Sequence, residues 1–219
     1  SHTMTAANAL FDSTGASFDD AVLGQGLPPL AEAALRDAGE CRSDAPRAMA
    51  ALMRAQALAP QHPAVLIALY RHHFYGHRLA PARDVARRAL YIGAQALGLP
   101  EVWRQMPRQP LAGAKDKPRV RFYLFTLKAY AYLSLRMDDA VEARDALALL
   151  RHLDPDDRVG GALVEAVRQR ALVGGSDDDD LLASLRAVFR DELDDHLAAL
   201  EGAALVLARP DAPAAEVAA

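Results

Sequence analysis

The feature that most constrains this chain is a spacing that returns. Ala48, Leu52, Ala55 and Pro60 lie along one helical face and end in a stop, and 34 residues further on Ala82, Ala86 and Ala89 fall in the same register. Ala143, Leu147, Leu150 and Pro155 reproduce that spacing a third time. A pattern of this kind marks a supersecondary unit that cannot bury its apolar face alone and gains a core by stacking on its neighbours. Small residues belong at these positions because two backbones approach closely there, while larger side chains fill the gaps between.

The segments around the recurring positions read as helices. Pro46 to Pro60 carries apolar residues on one face and a proline stop, Ala64 to Tyr75 is closed by Gly76, and Pro81 to Ala96 begins with a proline in its first turn, where the missing N–H is not needed. A strongly amphipathic helix is expected at Val120 to Met137. Asp138-Asp139 is expected to cap the next helix, Ala140 to Leu153, and Asp154-Pro155-Asp156-Asp157 to end it and start another at Val159 to Val173. Turns this short force adjacent helices to pack antiparallel. Hydrophobic residues make up 52% of the chain but aromatics only 6%, and the excess is Ala and Leu, which favour helix over strand. The expected fold class is all-α.

Four regions follow. Ser1-His2-Thr3 ahead of Met4 reads as the scar of a purification tag, and residues 1–28 form this remnant plus a loosely structured arm anchored by Phe11, Phe18, Val22 and Leu23. Residues 29–173 hold the repeats, interrupted at 97–119 by an insertion. Gly98 to Pro118 contains four prolines and the only tryptophan. Residues 174–209 are expected to form an acidic helix behind a Gly174-Gly175-Ser176 hinge, with Leu182, Leu185, Phe189, Leu193, Leu197 and Leu200 on one face. An Ala-Pro-rich tail, 210–219, is expected to be disordered.

Charge and cysteine content narrow the function. A formal charge of −4 and a pI near 6 give no overall drive toward nucleic acid or anionic lipid. One cysteine, Cys41, cannot build a disulfide framework or a thiolate-only metal site, and a reducing compartment is the simpler reading. No apolar run reaches bilayer-spanning length, and the N-terminal stretch lacks a secretion-signal plan, so a cytoplasmic location is expected.

The 34-residue period, the small-residue register and the Asp138-Asp139 turn resemble the tetratricopeptide repeat. The first-helix positions are degenerate: Leu66, Leu69, Tyr70 and His73 in one copy, Leu127, Tyr130, Ala131 and Ser134 in another, with Tyr70 where a small residue is usual. The resemblance covers roughly residues 30–173. It implies antiparallel helical hairpins stacked into a short right-handed solenoid, with the acidic helix as a C-terminal cap. A narrower similarity lies in Leu69-Tyr70-Arg71-His72-His73-Phe74-Tyr75, in Leu97 to Trp103 and in Val120 to Lys128. These stretches resemble small repeat proteins of bacterial nitrogen fixation, of the nitrogenase-associated factor T kind. That resemblance implies a non-catalytic protein that docks on a nitrogenase component during assembly, inactivation or storage.

In the repeat register, the concave face takes Ile67, Arg71, Phe74 and Tyr75 from one copy and Phe125, Lys128, Tyr132 and Arg136 from another. Aromatic rings alternating with cations suit a groove for a carboxylate-bearing peptide or loop, although each ring serves equally well as core. The insertion is the second candidate. From Arg104 to Lys128 seven cations stand against Asp116 alone, and Trp103 beside Arg104 and Arg108 is either a hot spot for an acidic partner or a side chain tucked into the core.

The segment Asp177 to Glu201 is opposite in character, with nine acids against Arg186 and Arg190. It is suited to cap a helix start or to cover the basic insertion. No catalytic residue, cofactor site or metal site is expected. His73 and His77 have metal-ligand spacing, but Gly76 ends the helix between them, no phosphate-cradling loop or nucleophile elbow occurs, and Cys41 has no placed base. The expected function is that of a protein-binding accessory factor for a larger bacterial enzyme, nitrogenase being the specific candidate. A secretion-type chaperone or peptide adaptor using the groove is the alternative.

Overall fold

A computed structural model describes residues 26–173 together with Ala183, Arg186 and Ala187. The expected N-terminal arm up to residue 25 and the tail at 210–219 lie outside the described residues, as does the acidic segment apart from those three positions, which are helical. Among the described residues there are seven α-helices, one 3-10 turn and no strand. No helix there is long and apolar enough to cross a membrane. The all-α expectation holds. The chain divides into two compact units, one reaching to His72 and one from His73 to Glu192.

The first unit contains α1 (Pro29–Glu40), α2 (Ala45–Leu58) and most of α3 (Pro63–Tyr75). Pro29 opens α1 directly after Pro28, and Asp44 caps α2 by accepting from the Arg47 N–H at 3.3 Å. The facing surfaces are small: Ala31, Ala34 and Ala38 of α1 and Ala48, Ala51 and Ala55 of α2 are buried, which lets the two backbones pack closely. Arg54 bridges back to Asp37 at 2.6 Å. The start of α3 is held by a residue that sequence patterning passes over. His62 is fully buried, and its Nδ1 accepts from the Ala64 N–H at 3.0 Å, the task usually given to Ser or Asp.

The second unit contains the last turn of α3, α4 (Leu79–Leu97), the 3-10 turn Trp103–Gln105, α5 (Pro118–Arg136), α6 (Ala140–Leu153) and α7 (Gly161–Val173). Helix α5 lies at its centre, packed on α4, α6 and α7. Expected to be amphipathic, it is instead buried almost all round: between Val120 and Ser134 only Arg121 is exposed and only Phe125 half-buried. A helix enclosed on several sides has no solvent face to supply the polar half of a moment. Gly93 of α4 makes one of these contacts possible, since a Cβ there would stand 3.3 Å from the Tyr123 ring. Tyr123 itself is wholly enclosed, and burial raises its phenol above the ordinary value.

The turns account for the remaining boundaries. Asp138 occupies the left-handed region at φ 57°, where glycine is ordinary and Asp is among the better-tolerated residues. Asp139 takes the N-cap position of α6 but makes no side-chain cap bond, contrary to expectation. Its carboxylate instead meets Arg83 of α4 at 2.8 Å, because a guanidinium there offers a stronger partner than a first-turn N–H. Asp154 closes α6 and its two carboxylate oxygens accept from Arg158 and Val159 N–H groups. Asp157 then accepts from Ala162 in the first turn of α7, two residues beyond the expected helix start.

Candidate protein-docking site

The insertion is an ordered part of the second unit. Trp103 and Met106 are buried, the 3-10 turn touches α4 and α6, and the Leu111 N–H donates to the Leu153 carbonyl at 2.9 Å. Trp103 stacks at an angle on Tyr130 of α5, with ring centroids 5.8 Å apart. Tyr130 donates to Glu142 of α6 and accepts from Arg87 of α4, so one phenol joins three helices. Burial, then the Glu142 bond, raises the Tyr130 phenol above its usual range.

Arg104 completes this clamp. Its guanidinium lies 4.5 Å from the centre of the Trp103 ring, donates to Asp145 at 2.7 Å and pairs with Glu142. The Asp145 and Glu142 hydrogen bonds raise the Arg104 guanidinium further, and the same bond from Arg104 holds the Asp145 carboxyl below the ordinary carboxylate value. The charge of Arg104 is therefore committed within the molecule.

The exposed cations of the insertion and of the start of α5 stand differently. Arg108, Lys115, Lys117 and Arg121 are exposed, and among the described residues no ion pair joins any of them to an acid. Asp116 is the one acid in this run. Lys117 is the N-cap residue of α5 and makes no cap bond, and the first turn of α5 carries no acid. Positive charge at a helix N-terminus opposes the helix dipole and costs roughly 0.3–1 kcal/mol per charge. Folding alone gives no reason for cations at this place.

The proposed groove residues divide. Phe74, Lys128 and Tyr132 are buried, at 2%, 2% and 1% relative exposure, so these three are interior and not an open lining. Phe74 lies 6.2 Å from Tyr132 and 6.0 Å from Tyr75. The Lys128 ammonium sits 4.9 Å over the Phe125 ring, beside Gly160 in the α6–α7 turn. Tyr75, Phe125 and Arg136 are half-buried, and Arg136 reaches the Tyr132 hydroxyl at 3.3 Å. Arg71 belongs to the first unit and is half-buried there. Of the eleven residues named from sequence, Trp103 and Arg104 come together in the clamp. Its partners Arg87, Tyr130, Glu142 and Asp145 were missed, because each is unremarkable within its own helix.

The histidines and the cysteine have local roles. Arg78 Nε donates to His73 Nδ1 at 3.3 Å, while His77 adopts φ 58° after the end of α3 and faces Arg186. Among the described residues no three His, Cys, Asp or Glu side chains converge as metal ligands. The Cys41 thiol contacts Asp37 at 3.6 Å, and desolvation, aided by Asp37, raises it above the ordinary thiol value.

Comparison with known proteins gives one curated relative. The chain is 37% identical over 115 residues to an uncharacterized 19.8 kDa protein encoded in the nifW 5′ region of Azotobacter chroococcum mcd 1. The match covers 52% of this chain and 64% of that protein, so the chain spans less than two thirds of its relative's length. No family model matches. No solved structure matches either.

Proposed function

We propose that this protein is a non-catalytic accessory factor, built from degenerate tetratricopeptide-type hairpins, that docks on a component of a bacterial nitrogen-fixation system through the cationic face of its insertion. One observation carries the reading: Arg108, Lys115 and Lys117 stand exposed on an insertion pinned to the helices by Trp103, Met106 and the Leu111–Leu153 bond, and Arg121 stands exposed just beyond it in the first turns of α5. Rigid presentation lowers the ordering cost of binding, and charges that weaken the helix they sit on suit an acidic partner surface. The relative in a nifW region supports the choice of system. The successive packing of α4, α5, α6 and α7 supports the repeat reading.

The groove of a peptide adaptor has less to work with, since Phe74, Lys128 and Tyr132 are interior. The test is capture from a nitrogen-fixing extract by the full chain and by a variant with Arg108, Lys115, Lys117 and Arg121 all changed to Glu. Recovery of a nitrogenase component or its assembly protein by the parent and not by the variant is expected. Equal recovery by both removes the insertion as the docking face, and recovery of no such protein removes the nitrogen-fixation reading.

A further inference from the structure

Between α4 and α6 the insertion is held at few points. Gln95 of α4 donates to Glu101 at 2.9 Å, Trp103 and Met106 are buried, and the Leu111 N–H reaches the Leu153 carbonyl. The exposed cations Arg108 and Lys115 lie on the backbone on either side of that last bond, so what fixes the stretch from Trp103 to Leu111 fixes where they stand. Arg104 is the charged tie in this stretch. Its fork donates to Asp145 at 2.7 Å and to Glu142, three residues apart on one face of α6, while its guanidinium carbon lies 4.5 Å from the centre of the Trp103 ring. Glu142 also accepts from Tyr130, whose ring meets Trp103. One planar guanidinium thus binds the root of the insertion to α6 and covers the ring that anchors it, a geometry a lysine ammonium does not reproduce.

We propose that Arg104 is a positioning residue for docking: bound to α6, it holds Arg108, Lys115 and Lys117 in the arrangement that an acidic partner meets, without touching the partner itself. This role rests on the insertion being the docking face. Loss of the fork acts in two ways. The turn keeps Trp103 and Met106 but loses its charged tie to α6, so the backbone beyond it opens more often, and ordering it again on binding costs affinity. The same loss bares the carboxylates of Glu142 and Asp145 near a surface that must attract acids. The two effects are separable, because neutral amides at 142 and 145 remove the second and leave the first.

The first measurement needs no partner. Trypsin requires open backbone around a cut site, so the rates of the cuts after Arg108 and Lys115 in the full chain report how firmly the insertion is held. Arg104→Met, which keeps a stem over the ring, is expected to speed these cuts about tenfold with helix content unchanged, and Arg104→Lys to fall between; equal rates in parent and Arg104→Met overturn the proposal. The second is the affinity of a fluorescent, helical Glu-rich peptide for the full chain. Arg104→Met and the triple variant Arg104→Met, Glu142→Gln, Asp145→Asn are both expected to bind it about fivefold more weakly than the parent. Parent-like affinity in Arg104→Met overturns the positioning role, and so does full recovery in the triple variant, which reduces Arg104 to a charge shield; both outcomes leave the docking face intact. Equal binding by the parent and by the variant with Arg108, Lys115, Lys117 and Arg121 changed to Glu removes the docking face, and the positioning role with it.

Discussion

Replacing Lys117 by Asp should strengthen the fold while weakening docking. Lys117 is the N-cap residue of α5, its backbone is extended at φ −102° and ψ 110°, and it makes no side-chain cap bond. An Asp in that geometry accepts from a first-turn N–H, worth about 1 kcal/mol. Exchanging a cation for an anion at the positive end of the dipole adds about 0.5–1 kcal/mol at low salt. Against this, the Lys117 stem lies over Gly113, and losing that partly exposed contact costs a few tenths, roughly one third of a buried CH₂ group. The net is a stabilisation of about 1.2–1.7 kcal/mol, or about 2–7 °C in Tm for a chain of this size. Urea unfolding followed by fluorescence of Trp103, the only tryptophan and a buried residue of the second unit, reads this unit selectively. The dipole part should shrink as salt is added while the cap part persists. A lowered or unchanged midpoint refutes the claim that this charge opposes the fold.

Other expectations concern single groups. Arg104 holds Asp145, and Arg168 holds Glu165, below their ordinary carboxyl values. A depressed folded-state value means stability that is complete above about pH 5 and lost as pH falls through the carboxyl range near 4; Asp145→Asn should flatten the urea midpoint profile there, and an unchanged slope contradicts the pairing. Asp138→Gly, at φ 57°, should raise the midpoint by about 0.5 kcal/mol through relief of left-handed strain, less the added unfolded-state entropy. Cys41, whose thiol is raised, should react with an aromatic disulfide at pH 7 more slowly than free cysteine; an equal rate shows that Asp37 does not hold it.

The helices were legible in the sequence because their determinants are local: proline starts and stops, small residues at fixed spacing, and aspartates at turns. Ala140–Leu153 appears where it was expected. What escaped was set by contacts between segments. Asp139 looked like a cap until Arg83, 56 residues earlier, claimed its carboxylate. Helix α5 looked amphipathic because what covers its polar side is supplied by other helices, α4 and α7 among them, and not by its own pattern. The insertion looked like a loop, since nothing local shows that Trp103 meets Tyr130 or that Leu111 bonds Leu153. For the candidate site, the excess of cations was readable; which of them are spent internally was not. Glu142 and Asp145, three residues apart on one face of α6, take up the charge of Arg104, while Arg108, Lys115, Lys117 and Arg121 stay exposed.

The central claim is that those four exposed cations, and not the clamp, carry docking. The most direct measurement is the salt-dependent affinity of the full chain, parent and four-Glu variant, for the nitrogen-fixation protein it captures. The account predicts that affinity for the parent falls steeply between low and physiological salt, as electrostatically steered binding does, and that the variant binds at least tenfold more weakly with an undiminished unfolding midpoint. An affinity independent of salt, and equal in parent and variant, would contradict it.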